Sequence, residues 1–109
     1  MPLHDEIAEL LHLPEHGADA PSLDAIEGTL TNGYAAKLAL EAERWRIERR
    51  LGEVARDADD EKTHGVAAEL AELSDRLETA DGELARLRSL LRKLQGVRRR
   101  RKAAATPAA

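Results

Sequence analysis

The chain has no cysteine and no phenylalanine, and its only aromatic residues are Tyr34 and Trp45. Without thiols there is neither a disulfide framework nor a thiolate metal site. A core with almost no rings must be built from Leu, Ile, Val and Ala, which suits helix against helix and argues against a sandwich or barrel. No run approaches the ~18 apolar residues needed to cross a bilayer, so a membrane span is not expected. The opening residues do not read as a secretory leader, and the absence of cysteine fits a reducing compartment; the expectation is a cytoplasmic protein. Acidic residues are also missing from one end. All 21 lie at or before Glu83, where 8 bases accompany them, and residues 84–109 hold 9 bases and no acid. An acidic body with a basic end can bind nucleic acid, an anionic membrane surface, or its own acidic half.

What the sequence does have is a heptad seam. Val66, Leu70, Leu73, Leu77, Ala80, Leu84, Leu87, Leu91 and Leu94 are spaced four, three, four, three without a miss. Four heptads of this pattern specify a coiled-coil helix that needs a partner surface. Charged residues at 35% fit that composition, and the arginine-rich, lysine-poor usage suggests a GC-rich bacterial genome.

The partner is found earlier in the chain. Leu23, Ile26, Leu30, Gly33, Leu40, Ile47, Leu51 and Val54 form a second seam, interrupted at core positions by Lys37 and Arg44, as polar register-setters interrupt coiled coils. Ser22 after Pro21 reads as its N-cap, with Asp24 at the positive end of the helix. Gly28 to Gly33, with Thr29 and Thr31 between them, is a weak point where a kink or a restart capped by Thr31 or Asn32 is expected. Residues 1–21 read as a short docking helix, placed by Leu3, Ile7, Leu10 and Leu11 and ended by Pro14, followed by a linker.

Residues 57–65 are polar and end in Gly65, which predicts a turn with Thr63 or His64 capping the next helix. A continuous helix bridged by a four-residue stutter through Ala58, Lys62 and Val66 is the competing reading. The hairpin is the one adopted: all-α, an antiparallel two-helix coiled-coil hairpin over 22–96, with helices 22–60 and 64–96. Gly96 is expected to end the second helix, and 97–109 to form a disordered basic tail. In that register Leu51 faces Leu73, Gly33 lies near Leu91, and Asp24 and Glu27 approach Arg98–Lys102. A lone hairpin buries little surface, so self-association is expected, most simply as a dimeric four-helix bundle.

Chemistry has few candidates. Ser22, Ser74 and Ser89 have no base placed to activate them, so no catalytic residue is assigned and an enzyme is not expected. His12 and His16 have metal-ligand spacing, but Pro14 breaks the face between them, and no metal or cofactor is assigned. His4 and His64 read as solvated end residues. Tyr34, Leu38 and Trp45 lie on the face of the first long helix that the hairpin seam leaves uncovered. They are the expected contact for a protein partner or a second copy, since aromatic anchors dominate interfaces. The plainer reading is that Leu10 and Leu11 fold back over them. Arg92, Lys93 and Arg98, Arg99, Arg100, Arg101 and Lys102 are candidate phosphate contacts. They lack interleaved aromatics, so nucleic acid is the less favoured partner, a membrane less favoured still, and a basic tail paired with the acidic first helix the plainer reading. The leading expectation is a small adaptor or regulator built on coiled-coil contacts.

Overall fold

A computed structural model describes residues 2–57 and 65–105, and among these every regular element is an α-helix. They are α1 (Pro2–His12), α2 (Leu23–Asp57) and α3 (Val66–Ala105). The turn expected at residues 58–64, with its Thr63 or His64 cap, lies outside the described residues. Its far edge does not: Gly65 has φ +82°, a left-handed conformation that a continuing helix cannot contain and that glycine adopts at little cost. The Gly65 carbonyl then accepts the Glu69 N–H at 2.9 Å, the first helical bond of α3. The hairpin, not the continuous helix, is the arrangement found.

The chain folds as two compact units, residues 1–37 with 86–109 and residues 38–85. In the first, α1 joins the start of α2 and the end of α3. Its core is Ile7, Ile26, Leu30, Leu87, Leu91, Leu94 and Val97, all buried. Ser22 caps α2 as its residue type dictates, accepting the Ala25 N–H at 3.0 Å on Oγ. The helix then runs unbroken through Gly28–Gly33, where a kink or restart was expected. Packing accounts for the difference. Gly33 is buried, and a Cβ there would collide with Leu91 Cδ2 and touch Ile7 Cδ1. The missing side chain is what lets α1 and α3 approach α2, and their contact offsets the poor local propensity.

α1 docks through Ile7 and His4, both buried, with Leu10 and Leu11 half-buried. His4 is thus part of the core rather than a solvated end, because positions 4, 7 and 11 share one face of the helix. Burying an isoleucine fully stabilises by roughly 1.5–3 kcal/mol, enough to hold an 11-residue helix that would be marginal alone.

The second unit pairs the rest of α2 with the start of α3. Ile47, Val54, Leu73 and Ala80 form its core, and Leu51, Val66, Leu70 and Leu77 pack around it, so Leu51 and Leu73 meet in one cluster as the register requires. Arg50 pairs with Glu69 at 2.8 Å, Glu43 with Arg76 at 2.9 Å, and Arg44 with Asp81. Arg50 meets Glu69 towards the turn while Glu43 and Arg44 meet Arg76 and Asp81 further from it, the signature of antiparallel packing. Arg44, which its spacing places on the seam, is instead a surface residue that reaches across to the partner helix.

The end of α3 differs from expectation. Gly96 lies inside the helix, which continues to Ala105, so residues 97–105 of the segment read as a tail are helical. Val97 is buried three residues beyond Leu94, where the four-three alternation would place Arg98. An acid-free, arginine-rich turn keeps its helix because tertiary partners meet its side chains. Residues 106–109 lie outside the described residues.

Candidate functional site

The residues singled out in the sequence fall into both units. In the second, Leu38 is 66% exposed and Trp45 is 59% exposed, the two most exposed large apolar side chains described. They are seven residues apart on α2, two helical turns, and so lie on one stripe. The α2 seam buries Ile47 and Val54 on another face, which leaves the indole in water. The Arg49 guanidinium sits 5.5 Å from its ring centroid, one turn further on, a cation–π contact at helical spacing.

Tyr34 belongs to the first unit and is 39% exposed. Its hydroxyl oxygen accepts a hydrogen bond from Gln95 Nε2 at 2.7 Å. Leu10 and Leu11 are the residues that the sequence offers as a cover for this face, and Tyr34 remains partly exposed. Leu10 and Leu13 border a groove with Ala25, Gly28 and Thr29 of α2.

The basic cluster is divided by what its members touch. Arg98 Nε donates to Glu27 Oε1 at 3.1 Å, and Lys102 Nζ lies 3.7 Å from the same oxygen. Arg100 holds the Glu15 carboxylate through Nε at 3.1 Å and through Nη2, and Arg101 donates to the Glu15 carbonyl at 3.4 Å. The Arg100 hydrogen bond pulls the Glu15 pKa below the ordinary carboxylate value, opposed by partial desolvation, and the same pair raises that of Arg100. In the second unit, Arg46 first and Arg76 next do the same to Glu43. The basic end therefore meets the acidic start of the chain, as the register predicts for Glu27. Glu15, on the linker, is a partner that sequence spacing does not reveal. Arg92 and Arg99, by contrast, line a groove with Tyr34 and Gln95, and Lys93 is exposed.

Among the described residues no group of three or more His, Asp or Glu side chains is placed to hold a metal ion, and no helix is long and apolar enough to cross a membrane. Comparison with known proteins returns no relative: no family model, no curated protein and no solved structure matches this chain.

Proposed function

We propose that this chain is a non-enzymatic helical interaction module that self-associates through the α2 stripe centred on Trp45. Its role is that of a small adaptor or regulator acting by protein contact. The observation that carries the reading is the exposure of Leu38 and Trp45, in a chain with one tryptophan, at positions the hairpin does not cover. Exposed apolar anchors of this size mark interaction surfaces, and a solvated indole gains most from a partner.

The stripe itself points to a second copy as the first occupant. In a two-fold contact, residue i of one copy meets j of the other and the reverse. Centred on Trp45 with the helices antiparallel, Glu41 faces Arg49 and Leu38 faces Gly52. Opposite charges meet, and the largest aliphatic residue of the stripe meets the smallest, at a glycine whose Cβ position is open space. Both relations are fixed by the numbering of α2 and hold within the second unit. Tyr34 shares the stripe by spacing alone, and the reading does not depend on it.

Sedimentation of the full chain across micromolar concentrations tests this. Wild type is expected to be dimeric and Trp45→Ala with Leu38→Ser monomeric, both with unchanged helicity. Arg49→Glu is expected to weaken the dimer, and adding Glu41→Arg to restore it. A wild-type monomer at high micromolar concentration sinks the reading, and a charge swap that restores nothing sinks the antiparallel geometry.

A further inference from the structure

We infer that the groove between α1 and the start of α2, in the first unit, is a docking site for a cationic amphipathic helix of another protein. It gives the adaptor reading a second contact surface on different residues from the Trp45 stripe, and either can fail without the other.

The groove has a volume of about 700 Å³, and both of its walls carry helical spacing. Glu6, Glu9, Leu10 and Leu13 line it from the α1 side, at i, i+3, i+4 and i+7. Ala25, Gly28, Thr29 and Asn32 line it from α2 at the same intervals. Each wall therefore runs two helical turns, roughly 10 Å. A trough between two helices is the shape that receives a third, with the ridges of one helix set into the grooves of its neighbours. The α2 wall bears only short side chains, and at Gly28 a Cβ would meet nothing within 4 Å, so an incoming helix can approach closely.

The groove also offers apolar surface to cover. Leu13 is 41% exposed just past the end of α1, where its N–H donates to the Leu10 carbonyl at 3.3 Å. Leu10 is half-buried, and Ala25 and Gly28 are exposed. An amphipathic helix laid in the trough would bury its apolar face on these residues.

Charge selects the occupant. The titratable residues of the lining are Glu6, Glu9 and His12, with no Lys or Arg among them. Residues 1–36, which include both walls, hold seven acids and no Lys or Arg. A helix without cations that covered the trough would desolvate two carboxylates with no compensating partner. A helix with Lys or Arg beside its apolar stripe supplies that partner and is steered to the site. A second copy meeting the groove about a two-fold axis would set carboxylates against carboxylates.

Fluorescence anisotropy on the full chain tests this. The probe is a labelled peptide of about 18 residues, long enough to form a helix on binding, with Leu at helical spacing and Lys and Arg elsewhere. Micromolar binding is expected. A version with Glu in place of its cations, and a scrambled version of the same composition, should each bind about tenfold more weakly or worse. Gly28→Leu fills the trough from a position with open space and should abolish binding with helicity retained. Glu6→Lys with Glu9→Lys should cut affinity by about tenfold or more, while Glu72→Lys with Glu78→Lys, the same charge change in the second unit, should stay within about twofold. Trp45→Ala with Leu38→Ser should bind the peptide as wild type does. No binding of the cationic peptide, equal binding of the scrambled or anionic version, or affinity unmoved by both groove variants overturns the inference. Loss of binding in the Trp45 variant would seat the peptide on the stripe, and a smaller sedimentation coefficient in Gly28→Leu would assign the groove to a second copy; either overturns it as well.

Discussion

Gly28 and Gly33 lie five residues apart on α2 and answer to different constraints. Around Gly28 an added Cβ meets nothing within 4 Å, whereas at Gly33 it would collide with Leu91 and touch Ile7. Alanine at Gly28 removes only the backbone entropy that glycine costs inside a helix, so Gly28→Ala is expected to stabilise by about 0.5–1 kcal/mol. Alanine at Gly33 gains the same term but forces a buried leucine out of its rotamer, and overpacking of this kind costs about 1–3 kcal/mol. Gly33→Ala is therefore expected to be destabilising by roughly 1 kcal/mol net. Thermal melts of the two variants beside wild type decide it. Equal stabilisation by both would mean that α1 and α3 do not crowd Gly33.

Among the elements, α1 depends most on contacts outside itself. Ile7 anchors it, and the linker that follows is tied to α3 where Arg100 grips Glu15. Because the folded state lowers the Glu15 pKa, its contribution to stability is complete above the ordinary glutamate value and disappears as pH falls through the lower, folded value. Stability is thus expected to fall with acid below about pH 4.5. Glu15→Gln, less stable than wild type at neutral pH, should converge on it in acid. Paired denaturant titrations at the two pH values measure this, and a constant gap would show that the pair is not the cause.

How much of these elements the sequence revealed follows from what sets each one. The α3 seam and the antiparallel register were legible because heptad spacing and the Gly33–Leu91 and Glu27–Arg98 matches are local or follow from simple reflection about a turn. The true end of α3 was not. A glycine off the seam inside a helix looks like a glycine that caps one, and Val97 follows Leu94 by three where the alternation calls for four, so the spacing does not announce that burial continues. The burial of His4 and the Glu15–Arg100 pair depend on where α1 and its linker settle, and no periodicity encodes that path. The exposed stripe was legible as a face left over from the seam. The groove beside Tyr34 was half legible: Arg92 and Arg99 share a face by spacing, but Tyr34 joins them only through the register.

Across the whole molecule, the two units have unequal cores. The largest fully buried side chains, Ile7, Ile26, Leu87 and Leu94, all belong to the first unit, where three helices contribute. The second unit has two helices, and half of its cluster, Leu51, Val66, Leu70 and Leu77, is only partly buried. Local opening free energy follows buried apolar contact, so amides of residues 40–57 and 66–83 are expected to exchange through smaller openings than those of α1 and its partners. The same region carries the Trp45 stripe, and a second copy that binds only the folded form adds stability by mass action. Protection in the second unit should therefore rise with protein concentration while protection in the first stays constant. Native-state hydrogen exchange at two concentrations, one either side of dimer formation, reads both effects at once. Slowest exchange in the second unit of the dilute protein would refute the ranking of the cores, and concentration-independent protection there would remove the stripe from the interface.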